Sequence, residues 1–221
     1  MELTREQRLG NLRDDKYVKY VADNYPLKDF KFKYVCNFDE EVKALREYFE
    51  ADKIELTRVD PNTPWARVIG QVDRLQMIVI RDFDLLNEPY SPHLNSYDVE
   101  LLDLCNPVLK KIEEIYDGVA LEVTMHKLKA GAKIPDHNDL DGYILGNRYQ
   151  EYLYFKLIHK IHVVISTNDQ VFFRIEDDIK NLKVGECWEI NDQLDHEVWN
   201  DGNTERIHLI VNLVNEKWAI E

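Results

Sequence analysis

Apolar residues along the chain follow two different periods, and the change falls near residue 118. In the first half, Val42, Leu45, Tyr48 and Phe49 recur at helical spacing and predict a helix over 40–52. A second helix is predicted over 98–116, with Leu101, Leu102, Cys105, Val108, Leu109, Ile112 and Ile115 on one face. Pro107 lies inside that pattern, so the helix either kinks there or begins there. Between the two, the turn sequence Asp60-Pro61-Asn62-Thr63-Pro64 precedes an apolar run over 75–80 that reads as a strand.

From Gly118 onward the pattern is one of short segments rich in β-branched and aromatic residues: 119–129, 160–167, 171–176, 186–190, 196–200 and 206–214. Turn clusters such as Ala130-Gly131 and Asn200-Asp201-Gly202-Asn203 separate them. Several short strands at this spacing predict a sandwich or barrel rather than alternating strand–helix units. The long interruption at 141–154 carries Gly142, Tyr143, Gly146, Arg148 and Tyr152 and reads as an insertion that closes over substrate or packs as a surface loop. Without internal repeats or a low-complexity linker, residues 1–221 read as one domain. Its helical and mixed part is 1–117, and its β core is 118–215.

Composition narrows the possible partners. With 28 Lys and Arg against 42 Asp and Glu, the net charge is −14, which leaves no basic stripe for nucleic acid. The three scattered cysteines, Cys36, Cys105 and Cys187, contain no CxxC pair and read as small buried hydrophobes in a reducing compartment. The first residues, MELTREQRLG, lack the apolar core of a signal peptide, and no stretch approaches the ~18 apolar residues of a membrane span. A soluble, cytoplasmic protein is expected.

The candidate chemistry lies in the β half. His137 and Asp139, two residues apart, point to the same side of extended backbone and can grip one metal. His196 follows some tens of residues later. Two histidines and one carboxylate leave half of an octahedral iron(II) open for a cosubstrate and O₂. On 206–214, alternation puts Ile207, Leu209, Val211 and Leu213 on an apolar face and Arg206, His208, Ile210 and Asn212 on a partly polar one. Arg206 on that second face suits bidentate grip of a dicarboxylate.

The runs Lys160-Ile161-His162-Val163-Val164-Ile165-Ser166-Thr167-Asn168, Gly185-Glu186-Cys187-Trp188-Glu189-Ile190-Asn191, His196-Glu197-Val198-Trp199-Asn200-Asp201-Gly202 and Arg206-Ile207-His208-Leu209-Ile210-Val211 resemble, in identity, order and spacing, the aspartyl/asparaginyl β-hydroxylase family. The resemblance covers roughly 118–215. It implies a mainly β protein with N-terminal helices and a double-stranded β-helix (jelly-roll, cupin-like) core. It further implies an iron(II)/2-oxoglutarate-dependent dioxygenase that hydroxylates an amino acid or a peptide or protein side chain and yields succinate and CO₂.

Residue by residue, the resemblance implies that His137, Asp139 and His196 hold iron. It implies that Arg206 binds the distal carboxylate of 2-oxoglutarate and that His162 contacts it. Lys160 stands where the family usually has arginine, and His126 where the family's aspartyl hydroxylases have serine; both are expected beside the cosubstrate. Those hydroxylases lack the metal carboxylate, so Asp139 brings this chain nearer to the small-substrate hydroxylases such as proline hydroxylases, and favours hydroxylation over halogenation.

Among the rest, Arg174 either lines the cavity or faces solvent. Trp188 and Trp199 are expected as core aromatics, and His93, His159 and His208 carry no assigned role, His208 being the best placed to support the site. Two other classes stay open: a noncatalytic β-helix module for ligand sensing or assembly, and a cupin-like hydrolase or isomerase using another divalent metal.

Overall fold

The computed structural model describes residues 28–51, 57–58, 75–83, 92–93, 99–139 and 158–215. The expected insertion over 141–154, with Tyr143, Arg148 and Tyr152, lies outside the described residues.

The chain opens with β1 (Phe32–Asn37) and helix α1 (Asp39–Glu50), followed by β2 (Thr57–Arg58), β3 (Leu75–Phe83) and β4 (Pro92–His93), the strand that contains His93. Helix α2 (Val99–Tyr116) leads into β5 (Gly118–Leu128) and β6 (Ala132–His137). The remaining strands are β7 (Ile158–Ser166), β8 (Val171–Ile175), β9 (Asp178–Lys180), β10 (Glu186–Ile190), β11 (His196–Asn200) and β12 (Arg206–Asn215).

Helix α2 runs through Pro107 without interruption, so the proline does not start the helix. Its buried side carries Leu101, Cys105, Val108, Leu109 and Ile112, but Ile115, expected on that face, is 48% exposed. Tyr116 takes the inward position in the last turn, where its hydroxyl finds a partner in the sheet. Gly118 marks the switch of period for a steric reason: a side chain there would meet the Val214 carbonyl oxygen at 2.5 Å.

Two antiparallel sheets make the core. The larger runs β1-β10-β7-β12-β5-β3-β2, and the smaller β6-β11-β8-β9. The central order β5-β12-β7-β10 facing β6-β11-β8-β9 is a double-stranded β-helix: eight strands that alternate between the sheets as the chain winds, except for the β8–β9 hairpin within the smaller sheet. β1 and β3 extend the larger sheet on either side, and β1, which keeps no strict alternation, is a strand that the sequence pattern does not announce. β9 escapes the strand pattern because only three residues pair after the turn at Glu176, whose φ is 51°.

Alternation on β12 sorts the interior as expected. Ile207, Leu209, Val211 and Leu213 join Phe38, Leu45, Val108 and Ile112 in a core between the helices and one face of the larger sheet. The other face meets the smaller sheet over Leu128, Ile134, Val164, Phe173, Ile190 and Val198. Pro135 costs no ladder bond inside the smaller sheet because β6 is its edge strand.

Trp188 and Trp199 are half-buried rather than core: Trp199 packs on Phe172, and Trp188 lies edge-on to Phe32 and Tyr34. Cys105 and Cys187 are buried as expected, while Cys36 is half-buried.

His159 gains a structural role. Glu189, 1% exposed, accepts hydrogen bonds from Tyr116 Oη at 3.0 Å, His159 Nδ1 at 2.6 Å and Lys33 Nζ at 3.1 Å. Burial pushes its carboxyl up, but the His159 hydrogen bond and the charges of His159, Lys28 and Lys33 outweigh burial and pull it down to about 2. A carboxylate depressed in the fold stabilises it fully above its ordinary value and loses that stabilisation as pH falls through the folded value. Glu189→Gln is therefore expected to cost about 2–3 kcal/mol at neutral pH. In urea titrations the gap to wild type should stay constant down to about pH 4.5 and shrink below it.

Candidate active site

The end of β6 and the start of β11 are neighbours, with His137 and His196 as Cα partners. Their rings lie 4.3 Å apart, centroid to centroid. Each ring is oriented by its own backbone: His137 Nδ1 donates to Pro135 O at 2.7 Å and His196 Nδ1 to Leu194 O at 2.9 Å. A carbonyl oxygen only accepts, so Nδ1 carries the proton of each neutral ring and Nε2 presents a lone pair.

Those lone pairs converge on Asp139. Its Oδ1 lies 3.5 Å from His137 Nε2 and 3.8 Å from His196 Nε2, and the backbone N–H of Asp139 is held by Asp192 O at 3.1 Å. His137, Asp139 and His196 are 9%, 6% and 4% exposed, and their ligand atoms all fall within 4.8 Å of one another. Oδ1 is buried with no hydrogen-bond partner, while Oδ2 meets the Lys160 ammonium group. Three electron-pair donors facing one point without a proton between them fit a cation.

Burial alone would raise the Asp139 carboxyl. The Lys160 charge, the His137 contact and His196 overcome it and hold the group well below the usual carboxylate range. Burial lowers the His196 ring, keeping it neutral and free to coordinate.

A second polar cluster lines the same face of the larger sheet. Arg206 opens β12 and is 1% exposed, with Nη2 donating to His208 Nδ1 at 2.9 Å. Because guanidinium only donates, the neutral His208 ring carries its proton on Nε2. Across the sheet, His208 pairs in register with His126, and Ile210 pairs with both Thr124 and His162. His126 Nε2 lies 3.1 Å from Thr124 Oγ1, and His162 Nδ1 lies 3.4 Å from His208 Nδ1.

Burial, followed by the cations Lys160 and Arg206, pulls His126 down to about 3. His162 and His208 are also driven well below the usual histidine range, by burial first and Arg206 next. All three are neutral at pH 7, so the pocket's positive charge resides on Arg206 and Lys160. Burial without a carboxylate partner lowers Arg206 to about 9, and among the described residues no ion pair relieves it. Arg206 Nε, His162 Nε2 and His208 Nε2 are buried and unpartnered. Such a set costs several kcal/mol unless an anion completes it.

The structure thus brings His137, Asp139, His196 and Lys160 together, with His126, His162, Arg206 and His208 on the same interior surface. Arg174 does not line the cavity. It bonds Glu197 Oε1 at 2.7 Å, Asp136 Oδ1 at 3.0 Å and Glu176 O at 2.9 Å, bracing the strands beside His137 and His196 from outside. Thr124 and Glu122 line the inner face of β5 beside Ile210 and Asn212, and Asn212 Nδ2 donates to Glu122 Oε2 at 2.5 Å. Their signal in the sequence is only a two-residue polar period inside an apolar strand.

A jelly-roll β-helix with two imidazoles and a carboxylate at one end, beside a buried arginine, is a cupin-like fold with a group able to hold a metal ion. Two solved structures share the fold over nearly the whole chain. A 2OG-Fe(II) oxygenase family oxidoreductase from Burkholderia pseudomallei is similar at 10% identity and TM-score 0.53, covering 90% of each chain. A prolyl hydroxylase from Trichoplax adhaerens, solved with a hypoxia inducible factor peptide fragment, is similar at 11% identity and TM-score 0.52, covering 97% of this chain and 93% of its own. No curated protein sequence matches. The family model for aspartyl/asparaginyl beta-hydroxylase matches residues 96–216, more than half of the chain. The chain belongs to that family, and it is a hydroxylating oxygenase.

Proposed function

We propose that this hydroxylase uses iron(II), 2-oxoglutarate and O₂, with His137, Asp139 and His196 as the iron ligands and Arg206 as the anchor of the cosubstrate's distal carboxylate. The observation that carries the reading is the pair of unfilled needs on one interior surface: the orphaned Asp139 Oδ1 between two imidazole nitrogens, and the unpartnered Nε of a buried Arg206 that has no carboxylate beside it among the described residues. The donor set suits iron(II), which accepts imidazole and carboxylate together.

Iron(II) held by His137, Asp139 and His196 would supply the chemistry that couples reduction of O₂ to oxidative decarboxylation of 2-oxoglutarate, giving succinate, CO₂ and a hydroxylated substrate carbon. The chain's residues bind, orient and exclude water. Arg206 offers a fork of N–H donors to a carboxylate, aimed by His208. His162 and His126, neutral and buried, line the cosubstrate's path without adding charge. Lys160 adds the second cation of the pocket. Phe173, Ile134, Val198 and Ile190 form the dry wall behind it.

The substrate is an amino acid, free or within a peptide or protein. The peptide bound to the Trichoplax enzyme supports the second form, and Asp139 supports hydroxylation as the outcome. Three free cysteines support a reducing, cytoplasmic setting. Among the described residues, no helix is long and apolar enough to cross a membrane.

The test is O₂-dependent succinate formation from 2-oxoglutarate with added iron(II), in the presence of amino acids and peptides in turn. Succinate should form with wild type and not with His137→Ala. Absence of iron-dependent 2-oxoglutarate binding in the wild type would overturn the reading.

A further inference from the structure

His137 and His196 are each oriented by the carbonyl two residues earlier, a device local to the strand. Asp139 has no such device. Its second oxygen is held by a side chain 21 residues away, Lys160 of β7, which crosses from the larger sheet and is 14% exposed. We propose that Lys160 fixes how Asp139 presents itself to the metal, occupying Oδ2 so that only Oδ1 can coordinate. The inference rests on the metal-binding reading above and gives Lys160 a role that precedes any contact with the cosubstrate.

Position counting shows why this matters. A carboxylate binds a metal through one oxygen or both. In a six-coordinate site, two imidazoles and one oxygen leave three positions, and two imidazoles and two oxygens leave two. A chelating keto acid and O₂ together need three. Among the described residues, Lys160 is the side chain bonded to Oδ2, and Oδ1 is left bare between the imidazole nitrogens.

The surroundings keep Lys160 in place. In register it sits beside Asn212 of β12 and Ile190 of β10, between a polar and an apolar neighbour. Asp192 and Glu122 also act on its charge, but each carboxylate has another partner: Lys28 Nζ at 3.0 Å from Asp192, and Asn212 on Glu122. Asp139 is the acceptor that Lys160 bonds, while the free Oδ2 of Asp192 acts on its charge without a hydrogen bond to it. Lys160 is thus a positioning residue, and its removal frees Asp139 Oδ2 to swing onto the metal.

The test uses manganese(II) alone, without 2-oxoglutarate, so that direct contact of Lys160 with the cosubstrate cannot contribute. Electron spin echo modulation in deuterated water counts the waters on bound manganese. The expected counts are three in wild type and two in Lys160→Met. Should Lys160→Met not fold, Lys160→Ala makes the same comparison, with two waters alone and three with added ethylammonium.

Three waters in Lys160→Met, or in Lys160→Ala without ethylammonium, would overturn the positioning role, as would two in wild type. Equal manganese binding by wild type and His137→Ala would instead overturn the metal site itself, so the two failures are distinct.

Discussion

Replacing His196 with alanine is expected to abolish stoichiometric metal binding and, with it, hydroxylation. Among the described residues, His196 Nε2 is one of two imidazole lone pairs facing Asp139 Oδ1, and no other histidine, cysteine or acid completes such a group. Losing a partner of a ligand costs about 10–100-fold in metal affinity, so losing the ligand itself should cost more than about 100-fold. The fold should survive. The ring's internal bond is to the Leu194 carbonyl at the strand's open end, and the Val198 and Asn200 anchors of β11 are untouched. Metal content after equilibrium dialysis against manganese, with circular dichroism as the control for folding, checks this. Unchanged stoichiometry in a folded His196→Ala protein would remove His196 from the ligand set.

Arg206→Met carries the second large effect, and it separates binding from folding. Two charge-assisted hydrogen bonds to a carboxylate are lost, worth about 3 kcal/mol or more, so 2-oxoglutarate affinity should fall at least about 100-fold. Manganese affinity should be unchanged, because Arg206 touches His208 and none of the ligands. Arg206→Lys keeps the charge without the fork and should fall between.

Stability should move the other way. Arg206 is 1% exposed, unpaired by any described carboxylate and pulled down to about 9 by burial, so the ligand-free fold bears the cost of that charge. Ligand-free Arg206→Met should therefore be more stable than wild type by about 1 kcal/mol, with the difference reversing at saturating metal and 2-oxoglutarate. A variant less stable when ligand-free would show that Arg206 serves the fold.

Much of this was legible in the sequence because alternation is a strong constraint. On β12, one period-two pattern separated the Leu209 face from the Arg206 face, and both landed as read, one on the helices and one in the β-helix interior. His137 and Asp139 converged because two residues along extended backbone return to one side, and the β6–β11 pairing brought His196 alongside.

What stayed hidden depends on contacts far apart in sequence. β1, where Phe32, Tyr34, Val35 and Cys36 are broken by Lys33 and closed by Asn37, keeps no strict two-residue alternation, so only its pairing with β10 declares it. His159 looked idle until Glu189, 30 residues on, received its proton donor. Arg174 could not be assigned a side from its own strand. The partners that fix it outward, Glu197 and Asp136, lie on two other strands or their ends. For Lys160 the sequence points only to a cation beside the cosubstrate, and it takes the fold to bring it against Asp139.

On the proposed reading, one interior surface binds iron(II) through His137, Asp139 and His196 and receives 2-oxoglutarate on Arg206. The most direct measurement is an anaerobic titration of 2-oxoglutarate into the iron(II)-loaded protein, following the visible charge-transfer absorption of the iron–keto acid chelate. A saturable band is expected in wild type, shifted to at least about 100-fold higher concentration in Arg206→Met and absent in His137→Ala. No band in folded, iron-loaded wild type, or an equal band in His137→Ala, would contradict it.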